Sequence, residues 1–127
     1  MKLRIKDNSL RFRVSQSELA SLVDSGRIEK TIYFASDEHS RLTYSLECRS
    51  SSTHATLLYH PQKVTLVLPK DEVKAWGGSD QVGIYTTADV GPHGTLDLLV
   101  EKDYACLDLS DADNHDTFPN PGICAAS

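Results

Sequence analysis

Five basic side chains near the start of the chain are the strongest concentration of charge in the sequence. Residues 2–6 and 10–14 alternate charged with apolar side chains, and the turn-forming stretch Asp7-Asn8-Ser9 lies between them, which predicts a β-hairpin. Because alternate side chains of a strand share one face, the basic side chains of both strands lie together. They are Lys2, Arg4, Lys6, Arg11 and Arg13.

Two interpretations of this basic face are open. In either register that a two-residue turn allows, cations of one strand stand opposite cations of the other. Such an arrangement destabilises a sheet unless negative charge lies nearby. In the first interpretation the protein supplies that charge itself, from Asp97, Glu101 and Asp103, which alternate along residues 95–104. In the second, the face binds an anionic small ligand or the acidic surface of a partner protein.

A second group of chemically competent side chains lies near the other end of the chain. Cys106, Asp111, Asp113 and His115 place a thiol, two carboxylates and an imidazole within ten residues, and such groups bind divalent metals. Calcium fits poorly, because Asp116 stands where a calcium loop needs its glycine. Zinc fits poorly as well, because Cys106 has no paired thiolate or histidine at short spacing. An acidic surface loop is the alternative, and no cofactor besides such a metal is expected.

The sequence contains no recognisable catalytic or nucleotide-binding motif. The glycine-rich stretch at residues 77–80 lacks the spacing and the lysine of a phosphate loop. His54 and His60 flank a predicted strand without the neighbours that a catalytic triad requires. Cys48 alternates with Leu46 and Tyr44, which favours a small core residue over a nucleophile. The sequence therefore favours a protein that is not an enzyme.

Composition narrows the class of protein further. A chain of 127 residues with 39% hydrophobic residues matches one globular domain. A formal charge of −5 argues against nucleic acid as a partner. No apolar run is long enough to span a membrane, and the charged start differs from a signal peptide. We therefore expect a cytoplasmic location and reduced thiols for the three cysteines.

Helix and strand signals follow the first hairpin. Ser15 and Glu18 form a capping-box pattern ahead of an apolar stripe, and Gly26 is a typical helix terminator. Residues 27–34 and 41–48 predict two further strands, the second with Leu42, Tyr44, Leu46 and Cys48 inward and Arg41, Thr43, Ser45 and Glu47 outward. Trp76 ends a second amphipathic stretch and is expected in the core.

The second half of the chain repeats the pattern of the first. A displacement of 54 positions brings Leu3 onto Leu57 and Leu46 onto Val100, while Ile32-Tyr33 matches Ile84-Tyr85 at 52. We predict two pseudo-symmetric ββαββ halves, residues 1–54 and 55–107, in one domain followed by an extended acidic and proline-rich tail at 108–127. The predicted fold class is α+β, a curved antiparallel sheet or open barrel of seven or eight strands with two short helices.

The ends of the chain resemble a family of short bacterial proteins that carry a domain of unknown function. The similarity rests on the opening MKLRIKDNSLRFR (residues 1–13), on VEKDYACL (residues 100–107) and on the closing FPNP (residues 118–121). The resemblance implies a bacterial cytoplasmic origin and no particular activity.

Three functions follow from these observations. The leading hypothesis is a non-catalytic binding or accessory module that turns its basic hairpin face toward an anion or an acidic partner. The second is a metal-binding protein or metalloenzyme with a site around Cys106, Asp113 and His115. The third is a structural interaction protein whose polar faces are paired internally.

Overall fold

The computed structural model describes residues 1–104 and 116–119. Among them are eight strands and two α-helices, which confirms the α+β class. In chain order these are β1 (Lys2–Lys6), β2 (Ser9–Val14), α1 (Gln16–Ser25), β3 (Arg27–Tyr33), β4 (Arg41–Arg49), β5 (Thr56–His60), β6 (Lys63–Pro69), α2 (Lys70–Gly77), β7 (Gly83–Asp89) and β8 (Thr95–Lys102). A short 3₁₀ turn, Gly91–His93, connects the last two strands.

The strands form two separate four-stranded sheets, in the orders β1-β2-β8-β7 and β3-β4-β6-β5. In each sheet two antiparallel hairpins meet through a central parallel pair, β2 with β8 or β4 with β6. The predicted single antiparallel sheet or open barrel is therefore wrong, since both sheets are mixed and neither closes among the described residues. The reason is physical: turn chemistry specifies each hairpin locally, whereas each parallel pair joins strands that are not consecutive in the chain.

Contacts divide the described chain into two compact units. The first consists of Met1–Ala20 with the described part of Val82–Ser127 and contains β1, β2, β7 and β8. The second is Ser21–Gln81 and contains β3 to β6 and α2. The predicted domain limits stay predictions, because most of the proposed tail at 108–127 lies outside the described residues.

Each unit has its own buried apolar side chains. In the first unit the central parallel pair supplies them from one sheet face: Phe12, Val14, Leu98 and Val100. In the second unit α2 packs on β4 and β6, burying Val73 and Trp76 with Leu46, Leu66 and Leu68. Trp76 is 0% exposed, which confirms its predicted place in the core.

Unlike the prediction, both faces of β4 are partly buried. Thr43 and Ser45 were expected to point outward to solvent, yet both are buried. Their hydroxyls are hydrogen-bonded across the sheet, Thr43 to Thr31 at 2.9 Å and Ser45 to Thr65 at 2.7 Å. Because each buried hydroxyl has a partner, burying these polar groups costs little.

The hairpin registers of the two units coincide along the sequence. Leu3 pairs with Phe12 in the first unit, and the residues 54 positions later, Leu57 and Leu66, pair in the second. The same displacement carries the parallel pair Phe12–Val100 onto Leu66–Leu46. The element order is likewise strand, strand, helix, strand, strand in each half of the sequence.

One predicted match within this pattern is wrong. Arg27 of β3 pairs with Glu47, and Gly83 of β7 pairs with Glu101, so β3 corresponds to β7 at a displacement of 56 positions. The sequence match of Ile32 with Ile84 required a displacement of 52 positions. The connection from α1 to β3 consists of Gly26 alone, whereas the connection from α2 to β7 is longer.

We predict that neither half of the sequence folds alone. Each sheet takes one hairpin from residues 1–54 and one from the second half, and an isolated hairpin is at best marginally stable in water. Residues 1–54 should therefore give no cooperative thermal transition by circular dichroism, while mixing them with residues 55–127 should restore the transition of the intact chain. A cooperatively folded monomer of residues 1–54 would show that the hairpins do not depend on each other.

Candidate functional site

The basic face lies on the hairpin of β1 and β2, in one of the two registers expected from the sequence. Arg4 stands directly opposite Arg11, Lys2 opposite Arg13, and Lys6 opposite Ser9. Phe12 and Val14 alternate with these residues and are 0% exposed, so the basic side chains occupy the other face of the sheet. The structure thus brings all five predicted cations together on one surface.

The neighbouring strands extend this face with residues that the sequence analysis did not connect to it. On β8, Asp97, Leu99 and Glu101 are in register with Ser9, Arg11 and Arg13. On β7, Thr87, Tyr85 and Gly83 are in register with those β8 residues. The central row of the face therefore runs Arg4, Arg11, Leu99, Tyr85 across four strands.

Two of the three expected carboxylates pair with the basic face. Arg11 Nε lies 3.2 Å from Glu101 Oε1, and Lys2 Nζ lies 2.8 Å from Asp103 Oδ2. The carboxylate side chains are only 17% and 14% exposed, so these pairs are less screened than ordinary surface pairs. The third expected carboxylate, Asp97, lies on β8 beside Ser9. Two strand spacings, about 10 Å, separate its backbone from that of Lys6.

Glu101 also accepts a hydrogen bond from Tyr85, whose hydroxyl lies 2.8 Å from Oε2. Burial, together with this bond and the negative charge of Glu101, raises the pKa of Tyr85 to about 12. One carboxylate therefore holds Arg11 on one side and Tyr85 on the other. Gly83 leaves room for this contact, since a Cβ there would lie 3.0 Å from Glu101 Cγ and 3.1 Å from the Tyr85 hydroxyl.

Two adjoining cavities open on the face. The smaller, of about 220 Å³, is lined by Arg4, Lys6, Ser9, Arg11 and Leu99. The larger, of about 590 Å³, is lined by Ser9, Arg11, Leu98, Leu99, Asp97 and the β7 residues Tyr85, Thr86 and Thr87. Arg11, Ser9 and Leu99 line both, so a guanidinium stands where the two cavities meet. Guanidinium, ammonium and hydroxyl donors are groups that recognise phosphate, sulfate or carboxylate.

The predicted metal ligands Cys106, Asp111, Asp113 and His115 lie outside the described residues. Within residues 1–104 and 116–119, no group of three or more His, Cys, Asp or Glu side chains is arranged to hold a metal ion. Cys48 is half-buried, and its Sγ donates to the carbonyl oxygen of Leu22 at 3.3 Å. Burial raises the pKa of the Cys48 thiol, which disfavours the nucleophilic thiolate.

The model of a family described as "Family of unknown function (DUF7009)" matches residues 1–122. The chain belongs to this family. The match spans the whole described part of the DUF7009 chain, including every residue of the basic face, and confirms the resemblance seen in the sequence. No curated protein and no solved structure matches it. In the described part of the DUF7009 chain, no helix is long and apolar enough to cross a membrane.

We predict that the phenol of Tyr85 titrates near pH 12, above the ordinary tyrosine value of about 10. Glu101→Gln removes the negative charge beside the hydroxyl, so it should lower that pKa toward the ordinary value. Ultraviolet absorbance titration of the intact protein measures both values, and Tyr85→Phe identifies the signal. An unchanged titration in Glu101→Gln would mean that burial alone sets the pKa.

The raised pKa of Tyr85 also determines how the stability of the folded protein changes with pH. The folded protein holds the Tyr85 proton more tightly than the unfolded chain does, so the contribution is fully present below about pH 10 and is lost as the pH rises toward 12. The stability advantage of the native protein over Tyr85→Phe should therefore shrink across this interval. Urea titrations at several pH values measure it.

Proposed function

We propose that the DUF7009 chain is a non-catalytic binding module that holds an anionic ligand on Arg4, Lys6 and Arg11. The observation that supports this function is the direct opposition of Arg4 and Arg11 at the rim of a cavity that Lys6 also lines. Like charges directly opposite each other on a sheet are destabilising. An anion bound between them would convert this repulsion into attraction.

The distribution of carboxylates supports a ligand at this end of the face. Asp103 pairs with Lys2, and Glu101 pairs with the Nε of Arg11, both toward the Lys2 end. Among the described residues that line the smaller cavity, three are cations and none is acidic. Because Asp103 and Glu101 lie toward the Lys2 end, the cavity at the Lys6 end, whose described lining contains no acid, is the part suited to a ligand.

The two cavities suggest the form of the ligand. Arginine presents planar forks that match phosphate and carboxylate oxygens, so the smaller cavity suits the anionic group. The larger cavity adds Tyr85 and Thr87 around Leu99, which suits a compact organic part with some apolar surface. A small organic phosphate or carboxylate meets both requirements, as does an acidic side chain of a partner protein.

We also propose that the chain arose by internal duplication and that only the first copy acquired this function. The coincident strand registers support the duplication. At a displacement of 54 positions, the five basic residues correspond to Thr56, Leu58, His60, Thr65 and Val67. The repeated fold therefore does not require these charges, which favours a ligand as the reason for them.

We predict that phosphate raises the melting temperature of the intact protein beyond sodium chloride of equal ionic strength at pH 7. A ligand that binds the native state and not the unfolded chain stabilises by mass action. The double variant Arg4→Gln/Lys6→Gln should lose this increment while keeping a cooperative transition. Arg11 is left in place, because its replacement would also remove the ion pair with Glu101.

The matched control is Lys30→Gln/Lys74→Gln, which removes the same two charges from β3 and α2 in the second unit. It should keep the full phosphate increment. The proposal fails if the increment survives in Arg4→Gln/Lys6→Gln, or if both double variants lose it equally, because net charge would then explain the effect.

A further inference from the structure

In the second unit β3 is an edge strand, because β4 is the only described strand that pairs with it. The N–H of Phe34 donates to the carbonyl oxygen of Ser40 at 2.7 Å, and the N–H of Cys48 donates to the carbonyl oxygen of Gly26 at 2.9 Å. Since bonded and non-bonded residue pairs alternate along an antiparallel ladder, the even-numbered residues of β3 bond to β4. The odd-numbered residues turn their N–H and C=O groups away from β4. They are Arg27, Glu29, Thr31 and Tyr33.

Large apolar side chains are exposed at the end of this edge. Ile32, Tyr33 and Phe34 are consecutive in the chain and are 48%, 55% and 67% exposed. An exposed edge strand that combines apolar side chains with outward backbone groups is a template for pairing with another strand. The edge of β3 therefore has both the hydrogen-bonding groups and the apolar surface that strand pairing uses.

The other edge strands of the two sheets are less suited to pairing. β1 carries cations at alternate positions, Lys2, Arg4 and Lys6, and charges on an edge oppose the approach of another strand. β5 has five residues, against seven in β3. On β7 the exposed side chain of Tyr85 is already hydrogen-bonded to Glu101. Among the described edges, β3 is the one that favours a partner strand.

The sequence of β3 favours a second copy of itself as that partner. In a symmetric antiparallel pair, one residue lies opposite its own copy at the twofold axis. An axis at Glu29 or Lys30 would place like charges directly opposite each other, which destabilises a sheet. An axis at Ile32 would leave more of the strand unpaired. An axis at Thr31 avoids both problems.

The register centred on Thr31 pairs groups that complement each other. Glu29 lies opposite Tyr33 of the second copy, Lys30 opposite Ile32, and Ile28 opposite Phe34. The outward backbone groups of Thr31, Glu29 and Tyr33 meet, and each such residue pair exchanges two hydrogen bonds. Thr31 Oγ1 lies 2.9 Å from Thr43 Oγ1 of its own copy, so a row of four threonine side chains crosses the axis.

The charged side chains near the axis do not oppose this register. No residue within 27–35 lies directly opposite a residue of like charge. The two copies of Lys30 are diagonal neighbours, about 7–8 Å apart, a separation at which physiological salt screens their repulsion. Glu29 forms ion pairs with Arg27 and Lys63 of its own copy, which compensate its charge beside Tyr33 of the second copy.

We propose that β3 is an interaction surface for a second copy of the chain, which pairs with it antiparallel about a twofold axis at Thr31. The four-stranded sheets of the two second units then form one sheet, in the order β5-β6-β4-β3-β3-β4-β6-β5. This inference does not depend on the proposed anion site, which belongs to the first unit, so either can fail without the other.

The first test uses the intact ¹⁵N-labelled protein over a series of micromolar concentrations. Sedimentation velocity should show a monomer that converts to a dimer as the concentration rises. Over the same series, hydrogen exchange should slow at the amides of Glu29, Thr31 and Tyr33, whose N–H groups point to the open edge. The amides of Lys30 and Ile32 should exchange slowly at every concentration, because they bond to β4 within one copy.

The second test changes the charge at the axis. Thr31→Lys and Thr31→Glu each place like charges opposite each other, so each variant should dimerise more weakly by about tenfold or more. An equimolar mixture of the two variants should restore the dimer, because an ammonium then lies opposite a carboxylate. The matched control is Thr87→Lys, which makes the same change at the corresponding edge position of β7, 56 residues later, and should dimerise like the native protein.

Several results would overturn the proposal. They are a protein that stays monomeric throughout the series, a dimer in which the amides of Glu29, Thr31 and Tyr33 still exchange rapidly, or native affinity in Thr31→Lys. Failure of the mixed variants to form a dimer, or equal loss of affinity in Thr87→Lys, would also overturn it. Circular dichroism should show a cooperative thermal transition in each variant, and the exchange experiment on the native protein does not depend on the variants.

Discussion

The parallel pairing of β2 with β8 is the contact on which the candidate site depends. It joins strands from opposite ends of the sequence, so the loop-closure entropy is lost before any contact is gained. Burial of Phe12, Val14, Leu98 and Val100 on one face of this pair offsets that loss, since each large apolar side chain contributes about 1.5–3 kcal/mol. The opposite face of the same pair carries Arg11 beside Leu99, and both cavities of the basic face form there. Core and site are therefore two sides of one pairing.

Glu101 connects the stability of the first unit to the charge of its surface. A partly buried carboxylate is costly unless it is paired and hydrogen-bonded, and Glu101 has both an arginine and a tyrosine as partners. By fixing Arg11 through its Nε, Glu101 limits the rotamers of a long side chain whose ordering would otherwise cost entropy on binding. An ion pair of this kind neutralises part of the basic face and also positions the remainder of the guanidinium at the junction of the two cavities.

The parts of the fold that local chemistry determines could be predicted from the sequence, and those that depend on remote pairing could not. Alternation and turn residues predicted the β1–β2 hairpin and the opposition of cations, and the Ser15–Glu18 pattern predicted the start of α1. The partners of the hairpin left no such local signal. For that reason Glu101 could be proposed from its charge, whereas Tyr85 and Leu99 were missed and two mixed sheets replaced the single antiparallel one. Ser45 was misplaced because alternation assumes one solvated face, and here its hydroxyl is hydrogen-bonded to Thr65 within a buried second face.

Comparison of the two units separates what the strand arrangement requires from what it leaves open. Phe12 with Val100 and Leu66 with Leu46 occupy equivalent central pairs, and all four are buried and apolar, because that position must provide the core in either unit. The residues on the other face follow no such rule: Arg11 stands beside Leu99 in one unit, and Thr65 beside Ser45 in the other. Side chains at the helix start differ in the same way, with Gln16 bonded to Thr117 in one unit and Lys70 lining a cavity in the other. A constraint shared by both units explains their common core, so the charged residues that differ between them are where selection for binding would act.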